Sequence, residues 1–217
     1  MREHELMQGF ADRIARLDAL RRISNMDDRE DELNTAYDNL SLAGSDALAS
    51  PSQYLLALAR FLELIMAGDA DRLAPELRIE IETGELSHSL QVAEASMLVS
   101  AYAVLLLGRT YQGRPEAVRA RAVLSGMVDR IAETAGDVLG YENLEAFLEH
   151  TGKVSRDLTV IAANQVPIVR VEIGARVPST LMAWKLYQDP ARAGELLERN
   201  GIATPAYMPE TFEALSA

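Results

Sequence analysis

The sequence contains no cysteine. Disulfides, thiolate nucleophiles and cysteine-ligated zinc are therefore excluded at the outset. Histidine is almost as scarce: His4, His88 and His150 are the only three, far apart and without ligand-like spacing. Aromatic residues make up 6% of the chain, with a single tryptophan, Trp184. Only two of the 21 basic residues are lysines, Lys153 and Lys185, and no run of Lys or Arg occurs. P-loop and dinucleotide-binding glycine patterns are missing too. The most apolar run, Met97 to Leu107, is 11 residues long. That falls short of the ~20 residues a membrane-spanning helix needs, and Glu94 and Arg109 flank it. It reads as a buried central helix.

What is present is an ordinary globular composition: 217 residues, 48% apolar and 25% charged. This length suits one sizeable core, or one domain with a small module attached. The formal net charge is -12, and its distribution is uneven. Residues 1–150 hold 14 basic and 26 acidic side chains, whereas residues 151–217 hold 7 of each. A body this acidic repels the phosphate backbone, so nucleic acid is not an expected partner. Met1 to Phe10 is charged and amphipathic, unlike a secretory leader.

Hydrophobic spacing predicts a series of helices. Leu6, Phe10, Ile14, Leu17 and Leu20 mark one face of a helix from about residue 3 to 23. The acidic run Asp27 to Glu32 suits the positive end of the next helix, which reaches about Leu42. It lacks the alternating ligands and the glycine of a calcium loop, and reads as a solvated face. Ser50, Pro51 and Gln53 form a capping-box start for a helix ending at Gly68. Leu77, Ile79 and Ile81 alternate with charged residues, a period of two that predicts a short strand or extended arm. Further helices are predicted over residues 87–108, 115–136, 141–150 and 153–164. Glu142, Glu145, Glu149 and His150 lack the Glu-x-x-His spacing of a di-iron bundle, and Glu145 and Glu149 read as facing water. Residues 1–164 are thus predicted to be a helical bundle domain.

After Pro167 the pattern changes. Ile168, Val169, Val171, Ile173 and Val177 form a β-branched extended segment. A helix follows from Pro178-Ser179 to Tyr187, then a second over residues 191–199 that Asn200-Gly201 closes. An extended return runs from Thr204 towards Leu215. Residues 165–217 therefore read as a small α+β module of order strand, helix, helix, strand, behind a mainly α body. A unit this small is marginal alone.

The stretch Val177 to Pro209 of this module resembles a lysin-motif (LysM) fold. More narrowly, residues 155–217 resemble the C-terminus of the DNA-circularisation protein family of Mu-like phages. Pro178 to Leu181, Trp184-Lys185-Leu186-Tyr187 with Asp189, Arg192 with Glu195-Leu196, Arg199-Asn200, Ile202, Pro205 and Met208-Pro209 carry the likeness. Asp157-Leu158 and Val166-Pro167 extend it. The family's β-rich N-terminal domain and its Pro-Gly-Gly turn have no counterpart here.

The resemblance implies a non-enzymatic structural component of a phage tail or baseplate hub. It implies other tail proteins as partners, a three- or six-fold ring of copies, no cofactor or metal, and residence in the virion tail after synthesis in the host cytoplasm. Two alternatives stand beside it: a peptidoglycan-binding module, and a non-catalytic protein that circularises or protects DNA ends. The candidate interaction surface comprises Trp184, Lys185, Tyr187, Arg192 and Tyr207, with Leu77, Ile79 and Ile81 as an arm for strand addition. Three apart on one helix, Trp184 and Tyr187 are read first as anchors of the module's own core. Tyr207, between two proline turns, is the better placed surface ring. Arg192 is expected to pair with Asp189.

Overall fold

The computed structural model describes residues 3–24 and 29–216. Asp27 and Asp28 of the acidic run lie outside the described residues. The protein is mainly helical, with one small two-stranded sheet near the C-terminus. It divides into two compact units: unit 1 is Met1–Thr110 with Arg119–Thr159, and unit 2 is Tyr111–Val118 with Val160–Ala217.

Unit 1 is built from α1 (Glu3–Ile23), α2 (Glu30–Gly44), α3 (Pro51–Ile65), α4 (Ala70–Thr83) and α5 (Ser89–Gly108). Most of α6 (Arg114–Leu139) and α7 (Tyr141–Asn164) completes it. The predicted stripe of α1, Leu6 through Leu20, is buried. So are Leu33, Ala36 and Leu40 of α2 and Tyr54, Leu58, Phe61 and Leu62 of α3. α5 starts with a capping box. Leu90 N–H donates to His88 Nδ1 at 3.2 Å, and His88 N–H donates to the Gln91 side-chain oxygen at 3.0 Å.

Three local expectations change. Residues 77–81 are helical, within α4, and form no extended arm. Leu77 and Ile81 are buried and Ile79 is 55% exposed. Alternation over five residues also contains an i, i+4 pair, and buried Leu73 and Ala74 extend that pair into a helical stripe. Asp69 caps this helix by accepting from Asp71 N–H at 3.0 Å. Residues 141–164 form one helix, not two. Thr151, between the two predicted spans, donates its hydroxyl to the Phe147 carbonyl at 2.8 Å and stays inside the helix. Ser50 forms no capping box, because its hydroxyl pairs with the Asp46 carboxylate instead.

A buried polar chain ties α1, α3, α4 and α5 of unit 1 together. Arg13 of α1 reaches Glu94 of α5 at 2.5 Å and Glu80 of α4 at 3.2 Å. Arg16, one turn along α1, binds both Glu80 oxygens at 2.7 and 3.0 Å. From α3 the Tyr54 hydroxyl donates to Glu94 at 2.6 Å. Phe10 packs edge-on against the Tyr54 ring, while Tyr37 of α2 donates to the Ile14 carbonyl. Arg13, Glu80, Glu94 and Tyr54 are all buried. Gly84 leaves the room this requires, since a Cβ there would stand 2.6 Å from an Arg13 nitrogen. Arg130 of α6 donates to the carbonyls of Ile81, Glu82 and Gly84, closing the C-terminal end of α4.

Two predictions follow from this chain. Arg13→Met leaves two buried carboxylates without their shared cation, and unfolding free energy should drop by about 3–5 kcal/mol in urea titration. Adding Glu94→Gln to Arg13→Met should recover part of that loss. The second concerns pH. Burial pushes the Glu94 carboxyl above the usual glutamate range, with Arg13 and the Tyr54 hydroxyl pulling the other way. The native state then keeps a proton that the unfolded chain releases at about pH 4.3. The resulting stability is fully present below that value and is lost as pH rises through the raised native value. Relative to Glu94→Gln, wild-type urea midpoints should fall as pH rises across this window. Parallel midpoints in the two proteins would show that Glu94 titrates normally.

Candidate functional site

Unit 2 carries β1 (Ile168–Glu172), α8 (Ser179–Tyr187), a 3-10 turn at residues 190–192, α9 (Ala193–Arg199) and β2 (Thr211–Leu215). The strands pair antiparallel, with Ile168 opposite Leu215 and Glu172 opposite Thr211. Its core is a small cluster of Met182, Ala183, Leu196, Met208, Phe212 and Ala214 with neighbouring aliphatics. Buried Ser179, at the first turn of α8, donates both its backbone N–H and its hydroxyl to the Pro205 carbonyl. Met208 N–H donates to the Val177 carbonyl at 2.7 Å. These bonds tie the 204–208 turn to the start of α8. Gln188, at φ 58°, and Gly201, at φ 62°, stop the two helices in left-handed conformation.

Among the described residues no third strand flanks β2, and side chains finish its outer edge. The Asn200 amide accepts from Glu213 N–H at 2.8 Å and donates to the Glu213 carbonyl at 2.9 Å. It thereby imitates a neighbouring strand. Leu215 N–H donates to the Tyr187 hydroxyl at 2.9 Å. Arg192 stacks its guanidinium 3.7 Å from the centre of the Tyr187 ring and pairs with Glu195. The expected Arg192–Asp189 pair is replaced: Asp189 instead accepts from Ala191 N–H at 2.9 Å.

The predicted surface residues therefore separate into two groups. Tyr187 and Arg192 are held by internal contacts and support the module from within. Trp184 is 49% exposed and stands outside the core, contrary to the core-anchor reading. It lies at i+3 from Leu181, which is 40% exposed, so both sit on an outward face of α8 beside exposed Lys185. Tyr207 is 66% exposed. Leu77 and Ile81 belong to the core of unit 1 and are remote from any such role, while Ile79 alone of the three faces outward.

Unit 1 holds a second feature, an apolar groove of about 680 Å³ between α3, α5 and α7. Its floor comes from α5, its sides from residues such as Leu55, Ala59, Ala146 and Phe147. His150 reaches from α7 to the Ser100 carbonyl at 3.4 Å. A carbonyl only accepts, so this contact uses the Nε2–H tautomer. No group of three or more His, Asp or Glu side chains is placed to hold a metal ion among the described residues.

No protein-family model matches the sequence, and no curated protein is significantly similar to it.

Asn200→Ala should remove the strand mimic and lower hydrogen-exchange protection of the Glu213 amide about fivefold, the equivalent of roughly 1 kcal/mol. Unchanged protection at Glu213 would show that the amide does not hold the edge.

Proposed function

We propose that the chain is a non-catalytic docking subunit of a phage tail or baseplate hub, and that it engages neighbouring tail proteins through unit 2. The phage assignment comes from the sequence resemblance of residues 155–217. One structural observation supports docking: Trp184 and Tyr207 are exposed on a unit whose core closes without them. Large rings in water on a small, otherwise complete module are typical anchors of a protein interface. Leu181 and Lys185 on the same helix add an apolar and a cationic contact. The acidic body, with net charge -12, favours basic neighbours by steering and register. Copies arranged in a three- or six-fold ring fit this role. The buried carboxylates Glu80 and Glu94 are committed to internal ion pairs, which also favours a structural reading over catalysis.

The test is cryo-electron microscopy of the intact virion. Symmetry-related density for this chain at the tail tip supports the proposal, and absence from the particle overturns it. In particles that contain it, Trp184→Ala with Tyr207→Ala should reduce incorporation at least tenfold, since each ring at an interface centre contributes about 2 kcal/mol or more.

The same exposed rings favour one other reading, a glycan site, because sugars stack on aromatic faces. Trp184 is the sole tryptophan, so its emission reports directly on such binding. A saturable emission change with soluble muropeptides, abolished in Tyr207→Ala, would establish that function instead. Flat emission would remove it.

A further inference from the structure

We propose that the groove of unit 1 receives an amphipathic helix of a different protein, one that carries Lys or Arg beside its apolar stripe. This site lies outside unit 2 and does not depend on the phage reading. The argument starts from α5. Between Leu90 and Leu106 every residue is buried except Ala93, Met97, Ser100 and Val104, and Leu107 continues the series at 37% exposure. The steps are four, three, four, three. That is the spacing by which one helix meets another along a coiled-coil seam. The stripe carries no charge and runs about 21 Å, close to four helical turns. Ala59 and Ala146, both small and exposed, stand on α3 and α7 and permit close approach of a backbone.

Charge selects among occupants. Glu142, Glu145 and Glu149 are exposed on α7 and pair with no cation among the described residues. Lys153 lies one turn beyond them, and Glu63 on α3 is already paired with Arg60 at 2.7 Å. None of the three α7 glutamates lines the groove, but Glu142 and Glu149 adjoin the lining residues Asn143 and His150 in sequence, so the solvent side of α7 remains acidic. A second copy of this chain would bring a body of net charge -12 against it, which like-charge repulsion opposes. A helix with basic flanks meets an apolar floor and an acidic bank together.

The probe is an 18-residue Leu/Lys peptide of helical amphipathic pattern, with a scrambled peptide of equal charge as control. Binding to the full chain is followed by fluorescence anisotropy. The patterned peptide should bind at least tenfold tighter than the scrambled one. Ala146→Trp, a change at an exposed helix position that fills the groove, should abolish the difference. Glu142→Lys with Glu149→Lys should weaken binding severalfold and flatten its salt dependence. Equal binding of the two peptides, or full binding by a folded Ala146→Trp variant, overturns the proposal. So does a dimer in light scattering that Ala146→Trp dissociates, because the face would then belong to a second copy.

Discussion

Burying one guanidinium between two carboxylates constrains everything else in unit 1. Arg13 satisfies Glu94 and Glu80 at once, while Arg16 and the Tyr54 hydroxyl occupy the remaining oxygens. Removing charges from water costs several kcal/mol per ion, and the attraction between them repays this only with good geometry. We therefore read the chain of contacts as setting register more than adding net stability. α5 is apolar around its whole circumference and could slide or rotate against its neighbours with little hydrophobic penalty. Glu94 prevents this, since any turn of α5 that withdraws it from Arg13 strands a buried charge. The glycine at position 84 and the Arg130 cap on α4 serve the same junction.

Once α5 is held in that rotation, the identity of its uncovered face is decided. Ala93, Met97, Ser100, Val104 and Leu107 lie roughly 100° around the helix from Glu94. The polar junction and the apolar groove are thus linked: the first orients the helix, and the second is the stripe that the other helices leave open. α5 is 20 residues long and apolar enough to cross a bilayer by length and composition, yet 72% of its most apolar window is buried inside the protein.

Unit 2 solves a different problem. Its core is too small to hold a two-stranded sheet by burial alone. Polar side chains supply what further strands would supply elsewhere. Asn200 pairs with the backbone of Glu213, Tyr187 takes the Leu215 N–H, and Arg192 braces the Tyr187 ring. Because Tyr187 and Arg192 are engaged inward, Trp184 and Tyr207 are left as the exposed rings. Two neighbouring aromatics of one helix so acquire opposite roles.

Local pattern by itself determined much of this protein. The α1 stripe, the central α5, and the helix and strand order after Pro167 were legible because periodicity, β-branching and glycine stops act over a few residues. Where a short pattern satisfies two periods, it misleads: Leu77, Ile79 and Ile81 alternate, yet fold as a helix because Leu73 and Ala74 complete a buried face upstream. The sites were less legible. Tyr207 was readable as exposed from its flanking prolines, whereas the exposure of Trp184 depends on which face of α8 packs on Met182 and Ala183. The groove left no mark, since a helix apolar on every side shows no preferred face. Only tertiary packing decided which stripe of α5 stayed uncovered, because that choice rests on Arg13, Glu80, Glu94 and Tyr54 meeting from four helices, a match of charges that no single segment contains.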